Sequence, residues 1–131
     1  MSLTQGVHHI VITVKDPQKS KEFYVKAADL KIIVEDKKTV GLTDGTSSLW
    51  IKKSRDYIPK ELKFDRNQIG LDHFSFTVNN LEDLKKIEQN LKSIGAEMED
   101  GSITDDGYGT KDSAIYVKDP DGMKVEFKIK G

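Results

Sequence analysis

The sequence predicts an α+β fold built from two tandem β-α-β-β-β modules. The main observation is a repeat, because VHHIVITV at 7–14 and LDHFSFTV at 71–78 are short alternating runs with a histidine in third position. Such alternation is typical of a half-buried strand. The two histidines, His9 and His73, lie 64 residues apart, as do Val14 and Val78. A unit of this length that occurs only twice indicates two modules of one domain rather than a solenoid.

The length and composition indicate a single globular domain of 131 residues. We predict module 1 at about 5–53, a polar connector at 54–69 and module 2 at about 70–131. The net charge of −1 gives no electrostatic basis for binding nucleic acid or a membrane surface. No apolar run approaches a membrane span, and the N-terminus lacks a signal peptide's apolar core. The chain has no cysteine, which excludes disulfides and thiolate metal sites and fits the predicted cytoplasmic location.

A helix is predicted after the first strand of each module. Asp16 and Asn80 occupy equivalent positions of the repeat, and both residue types cap helix N-termini. Pro17 suits the first turn of the first helix, and Gly95 suits the end of the second. Apolar residues recur at helical spacing and are predicted to face the core: Phe23, Tyr24, Ala27 and Leu30, then Leu81, Leu84, Ile87, Leu91 and Ile94.

Three further strands are predicted in each module. In module 1 they are KIIVED at 31–36, KTVGLT at 38–43 and SSLWIKK at 47–53, with a hairpin turn at Asp44-Gly45. In module 2 they are AEMED at 96–100, SAIYVK at 113–118 and MKVEFKI at 123–129, the last two joined by the turn DPDG. The loop GSITDDGYGTKD at 101–112 is expected to be either a flexible connector or a lid with Tyr108 at its tip.

Alternation along the strands collects the candidate functional side chains on one face of each module, because neighbouring strand residues point to opposite faces. The residues on these more polar faces include His9, Val11, Thr13, His73, Ser75, Thr77 and Glu126. If the two sheets curve toward each other, two imidazoles and one carboxylate converge in a cavity. His8 has the wrong parity to join His9 and is expected at the strand edge.

The chain resembles the vicinal oxygen chelate superfamily, also called the glyoxalase/bleomycin-resistance/dioxygenase family. The motifs that carry the resemblance are HHIVITVKD, LDHFSFTV and above all YVKDPDGMKVEF, which closely matches the family's final hairpin. The resemblance covers nearly the whole chain. It implies that the paired modules form a cupped mixed sheet around a central cavity with a divalent metal, whose ligands are His9, His73, Glu126 and a position near Trp50. Two histidines and a carboxylate suit Fe, Mn, Zn or Ni.

The fourth ligand position departs from the glyoxalase I pattern, which has a glutamate or glutamine there. Trp50 has the cavity-facing parity in SSLWIKK, and a one-residue slip would put Leu49 in its place. Since neither side chain ligates a metal, three protein ligands with open positions for water or substrate are predicted. Trp50 is then either an apolar wall of the substrate pocket or a large aromatic that fills the module junction.

Two branches of the family have a similar three-ligand site. The fosfomycin-resistance enzymes open an epoxide with a thiol or water and carry a comparable LW on the same strand. However, their catalytic threonine falls at Val11 here, and their arginine-bearing tail falls beyond Gly131. The extradiol dioxygenases use Fe(II), and Tyr116 matches their substrate-contacting tyrosine in spacing, but DGYGTKDSAIYV lacks their acid–base histidine. The reaction therefore stays open between lyase, epoxide-opening transferase and ring-cleaving dioxygenase.

The chemistry shared by these branches is chelation of a small oxygen-rich substrate on the divalent metal, which stabilises a developing anion. The predicted catalytic residues are Glu126, which can also move a proton if it leaves the metal, and Tyr116. The predicted substrate-binding residues are Trp50, Thr13, Ser75 and Thr77. Lys124 and Lys128 either attract an anionic substrate or are simply solvated.

Two other functions compete with an enzyme. A metal-free protein of the bleomycin-sequestering kind would hold a ligand and do no chemistry, although such family members generally lack the three metal ligands. A structural dimer module is disfavoured by the polar inner face. A homodimer is predicted in every case, because cupped sheets leave strand edges and faces to cover.

Overall fold

The computed structural model contains two four-stranded mixed sheets, each packed on its own helix. It describes residues 1–101, 103–105 and 113–130. The elements of module 1 are β1 (His9–Val14), α1 (Pro17–Ala28), β2 (Lys31–Glu35), β3 (Thr39–Thr43) and β4 (Ser48–Lys53). The elements of module 2 are β5 (His73–Val78), α2 (Leu81–Ser93), β6 (Thr104–Asp105), β7 (Ser113–Lys118) and β8 (Lys124–Ile129). The predicted α+β fold with a duplicated module is confirmed.

The strand order is the same in both modules, β1-β4-β3-β2 and β5-β8-β7-β6. In each sheet the first strand runs parallel to the last strand of its module, and the other pairs are antiparallel. Within the described residues, β1 and β5 are therefore edge strands, each with one side that pairs with no other strand. An edge of this kind is a template for pairing with another chain.

Both helices begin at the predicted caps. The Asp16 carboxylate accepts hydrogen bonds from two backbone N–H groups of the first turn of α1, and Asn80 accepts one from the N–H of Asp83 in α2. The predicted core residues of α1 are buried, as are Leu84, Ile87 and Leu91 of α2. Leu81, by contrast, is exposed at the first position of α2. Neither helix in the described part of the chain is long and apolar enough to cross a membrane.

The strand predicted at 96–100 is wrong. Residues Glu99–Gly101 form a 3₁₀ turn in which Asp100 and Gly101 both have left-handed backbone conformations, with φ of 56° and 73°. Two such residues in succession turn the chain away from an extended path. Only Met98 makes an isolated bridge to Val117, and the two-residue strand β6 takes the outer place in the sheet. Most of the predicted lid, including Tyr108, lies outside the described residues.

The two modules share one hydrophobic core. Buried side chains from both modules form a single cluster, and α1 packs on α2, where the Asn90 side chain donates a hydrogen bond to the carbonyl of Ala27. The DPDG turn of module 2 is also tied to module 1. The backbone N–H of Lys15 donates to the Asp121 carboxylate at 3.2 Å. This sequence motif therefore has a structural role in fastening the β7–β8 hairpin to the other module.

Candidate metal and substrate site

Glu126 lies at the centre of the open face of the module 2 sheet. In register it pairs with Ser75 of β5 and Tyr116 of β7, so the three side chains share one face. Although this face is turned away from the core, Glu126 is only 6% exposed. A buried carboxylate needs a compensating partner, because removing a charge from water is costly.

His73, the first residue of β5, lies opposite this carboxylate. Its Nε2 atom lies 3.6 Å from Oε1 of Glu126. This separation is longer than a good hydrogen bond, so the two atoms face each other across a gap. Two ligand atoms bound tetrahedrally to one zinc ion at about 2.1 Å each would lie about 3.4 Å apart. The pair therefore fits two adjacent ligands of a divalent ion, both in donor chemistry and in spacing.

Asp72 contacts the other nitrogen of the same imidazole. His73 Nδ1 donates to Asp72 Oδ1 at 2.7 Å, since an ionised carboxylate can only accept. This hydrogen bond holds the pKa of Asp72 below its ordinary value, and the nearby Arg66 guanidinium, 4.0 Å away, acts in the same direction. Sequence reasoning missed Asp72. The available signal was a carboxylate directly before the candidate ligand in LDHF.

Tyr116 adjoins this pair. Its ring meets the His73 ring edge-on, with 5.9 Å between the centroids. The Lys124 ammonium lies 4.5 Å from the centre of the Tyr116 ring and 3.2 Å from the Glu99 carboxylate. A cation over an aromatic face is attracted by the ring quadrupole. Tyr116 and Lys124 therefore form a wall beside the candidate metal ligands.

A cavity of about 430 Å³, here called the Tyr116 cavity, lies between this wall and connector residues 64–67. None of the four predicted substrate-binding residues is among its lining residues. Ser75 is exposed beside Glu126, Thr77 lines a separate groove with α2, and Thr13 lines another groove with the connector. The structure therefore brings His73, Glu126 and Tyr116 together but leaves the substrate-binding assignments as predictions.

Trp50 occupies in module 1 the position that Glu126 occupies in module 2. In register it pairs with Val11 of β1 and Gly41 of β3, so it lies on the predicted face. Its ring covers Gly41 so closely that a Cβ atom added there would lie 2.8 Å from the ring, and its Nε1 donates to Ser48 at 3.2 Å. Trp50 thus fills the space above Gly41. At the position equivalent to Gly41, module 2 has Tyr116, which lies beside Glu126.

His9 lies on the open face of the module 1 sheet and is exposed. Its Nδ1 atom is hydrogen-bonded to Nδ1 of His8 at 2.9 Å, with the two rings edge-on. His8 lies at the edge of the strand, immediately before the first residue of β1, so strand alternation does not keep its ring away from His9. Its exclusion from the ligand set stays a prediction. His9 therefore resembles His73 in having one ring nitrogen bonded to the side chain before it.

The three predicted metal ligands do not meet within one chain. Among residues 1–101, 103–105 and 113–130, no group of three or more histidine, cysteine, aspartate or glutamate side chains is placed to hold a metal ion. His73 and Glu126 are adjacent, whereas His9 contacts His8. The ligand set predicted from the sequence stays a prediction, of which two members are side by side.

Comparison with known proteins places the chain in a family. The model of the Glyoxalase/Bleomycin resistance protein/Dioxygenase superfamily matches residues 6–127, a range that runs from before β1 into β8. The chain belongs to this superfamily. The resemblance predicted from three sequence motifs is therefore confirmed.

Relatives within the superfamily include a metallothiol transferase FosB of Bacillus licheniformis, 30% identical over 121 residues, which are 92% of this chain and 73% of that protein. The uncharacterized protein YwkD of Bacillus subtilis is 30% identical and is aligned over 95% of this chain and 96% of its own. A glyoxylase/bleomycin resistance protein/dioxygenase domain from Frankia sp. EAN1pec has the same fold, with a TM-score of 0.78 at 24% identity, covering 99% of this chain and 94% of that one.

The motifs that identify this superfamily member lie on the strands that carry its candidate ligands. HHIVITVKD spans β1 with His9, LDHFSFTV spans β5 with His73, and YVKDPDGMKVEF spans the β7–β8 hairpin with Glu126. Since β1 and β5 are edge strands, two of the three ligand positions lie where a sheet is open to further pairing.

Proposed function

We propose that this chain is a metal-dependent enzyme that binds a small oxygen-rich substrate on a divalent ion held by His73, Glu126 and His9. The observation that carries the proposal is the pair of His73 and Glu126. A carboxylate that is 6% exposed faces an imidazole nitrogen at 3.6 Å, which is the spacing of two ligands of one ion. Fe, Mn, Zn and Ni all suit this donor set, and the identity of the ion stays open.

Among the reaction classes that the sequence left open, the relatives favour a transferase. Three proteins named metallothiol transferase FosB match 92–95% of this chain at 26–30% identity. The proposed substrate class is therefore an electrophile that accepts a thiol. Val11 stands where the fosfomycin-resistance enzymes have a catalytic threonine, so we expect the preferred electrophile to differ from theirs.

The residues around the pair have separable roles in this proposal. The ion, when bound, supplies Lewis-acid polarisation of a substrate oxygen. Glu126 anchors the ion from a buried position, and His73 is held toward it by Asp72. Lys124 lies over the Tyr116 ring, is paired with Glu99, and lines the Tyr116 cavity, which in this proposal receives the rest of the substrate.

We infer that His9 comes from a second copy of the chain. Within the described residues the edges of β1 and β5 pair with no strand, and each carries a candidate ligand histidine on its open face. Pairing β1 of one copy with β5 of another would bring His9 beside the His73–Glu126 pair. Twofold symmetry repeats the contact, so the dimer would contain two equivalent sites. The predicted homodimer and the predicted metal site then become one proposal.

The first test is metal content. The protein is purified without a metal-affinity column and the bound ions are measured by mass spectrometry, together with Glu126→Ala and, as a matched control, the exposed Glu22→Ala. We expect about one ion per chain in the wild type and the control, and loss of the ion in Glu126→Ala, which has no ligand oxygen. Absence of any ion after incubation with Mn, Fe, Ni and Zn would contradict the proposal and favour the metal-free sequestration function.

The shared site is tested by complementation between two inactive variants. His9→Ala and Glu126→Ala are each expected to bind no ion. In a mixed dimer, however, one of the two sites combines the intact His9 of one chain with the intact His73 and Glu126 of the other. Refolding an equimolar mixture should therefore restore part of the metal binding. If the mixture binds no more metal than either variant, the ligands do not come from two chains.

The reaction class is tested on the metal-loaded protein. A panel of small epoxides is incubated with small thiols, and consumption of the thiol is followed with and without the protein. Metal-dependent consumption supports the transferase. Tight binding of a panel member without turnover would favour sequestration, and turnover of a hemithioacetal or catechol in place of an epoxide would assign the lyase or dioxygenase class.

A further inference from the structure

Each candidate ligand histidine is bonded at Nδ1 to the side chain that precedes it in sequence. His73 donates to Asp72 at 2.7 Å, and His9 is bonded to His8 at 2.9 Å. Asp72 and His8 are 64 residues apart and so occupy equivalent positions of the repeat. The two modules thus carry different residue types, but both are polar and both contact the same ring nitrogen.

These contacts are unusual for a strand. Neighbouring side chains within an extended strand point to opposite faces and do not meet. The histidines are the first residues of β1 and β5, however, so Asp72 and His8 lie just outside the extended segments. Each side chain can then turn toward the ring that follows it.

We propose that Asp72 is a positioning residue, which accepts the Nδ1 proton of His73 and thereby keeps the lone pair of Nε2 directed at Glu126. A neutral imidazole carries one proton, so donation from Nδ1 leaves Nε2 as an acceptor and as a metal ligand. Hydrogen bonds of this kind also fix the plane of a ligating ring. The Arg66 guanidinium, 4.0 Å from the same carboxylate oxygen, is placed to hold Asp72 in turn.

The inference rests on the proposed metal-dependent function only in one respect, that a metal ion binds to Nε2 of His73. The position of the proton on His73 is a property of the metal-free protein and can be measured without any ion. Failure of the tautomer assignment and failure of metal binding are therefore separate results.

The first measurement is the tautomer of His73 by long-range ¹H–¹⁵N correlation on ¹⁵N-labelled, metal-free protein, about two pH units above the ordinary histidine pKa of about 6.5. With three histidines in the chain, His73→Gln assigns the signal. We expect the proton on Nδ1 in the wild type and a shift toward Nε2 in Asp72→Ala. Asp83→Ala, which removes a half-exposed carboxylate of α2, is the matched control and should change nothing.

The second measurement is the dissociation constant for Zn²⁺, used as the probe ion. Asp72→Ala should weaken binding about 10- to 100-fold, and Asp83→Ala should leave it unchanged. Asp72→Asn keeps the side-chain shape and an acceptor oxygen, so its affinity for Zn²⁺ should lie between those of the wild type and Asp72→Ala. It replaces Asp72→Ala if that variant does not fold. A wild-type His73 protonated on Nε2, or a folded Asp72 variant with unchanged tautomer and affinity, would overturn the inference. A wild type that binds no Zn²⁺ would contradict the proposed function and leave the tautomer result to decide the role of Asp72.

Discussion

The hydroxyl of Tyr24 donates a 2.7 Å hydrogen bond to Oδ2 of Asp119, and this contact joins the two modules. Tyr24 lies in α1, whereas Asp119 opens the turn between β7 and β8. Both residues are buried, and Oδ1 of Asp119 also accepts the backbone N–H groups of Asp121 and Met123. Burial raises the pKa of Asp119 in spite of these hydrogen bonds. The DPDG motif is therefore held in place by a tyrosine from the other half of the chain.

Tyr24→Phe is expected to lower the free energy of unfolding by about 2 kcal/mol, because a hydrogen bond to a buried charged group is lost. The measurement is urea unfolding at neutral pH. Tyr57→Phe is the matched control, since Tyr57 lies in the connector and its side chain is exposed. Equal unfolding free energies for the two variants would show that the contact between modules contributes nothing.

The same pair predicts the response to alkaline pH. Burial, followed by the charge of Asp119, raises the pKa of Tyr24 well above its ordinary value of about 10. Above that pH the unfolded chain releases the phenolic proton while the folded chain keeps it, so the folded state binds more protons and stability falls as pH rises. Wild-type protein should therefore lose stability above pH 10 more steeply than Tyr24→Phe, in unfolding curves recorded at increasing pH. Parallel losses in the two proteins would contradict the assignment.

Gly41→Ala is expected to displace the Trp50 ring, because the added Cβ would lie 2.8 Å from the ring. Overpacking of this kind costs about 1–3 kcal/mol. Since Trp50 is the single tryptophan of the chain, its fluorescence reports the displacement directly, and we expect emission shifted to longer wavelength. In a Trp50→Ala background the same substitution should cost much less. An undiminished cost there would mean that Gly41 is required for its backbone and not for the tryptophan.

Divalent ions are expected to raise the melting temperature of the wild type and not that of Glu126→Ala. An ion at 100 times its dissociation constant stabilises the folded state by about 2.7 kcal/mol. Thermal unfolding with and without each ion measures the difference, with Glu22→Ala of helix α1 as the control. If Glu126→Ala keeps the full increase, the ion binds elsewhere.

The sequence by itself determined the features that depend on local backbone geometry. The helix caps at Asp16 and Asn80 depend on a side chain that reaches N–H groups two or three residues away. The placement of Trp50 on the open face follows from strand alternation alone. The 64-residue repeat made the duplicated module visible, because each copy had to specify the same local elements.

Only the tertiary structure decided which of these elements meet. Alternation placed His9, His73 and Glu126 on open faces, but the parallel pairing of β5 with β8 brings Glu126 to His73, whereas His9 lies on the other module's sheet and stays apart within one chain. The contacts of Asp72 and His8 arise where a strand begins, and a periodic pattern does not reveal such contacts. Nor does it reveal that AEMED is not a strand, because two residues with left-handed backbone conformations turn the chain there. Periodicity fixes the face on which a side chain lies, whereas the partner that it meets depends on long-range packing.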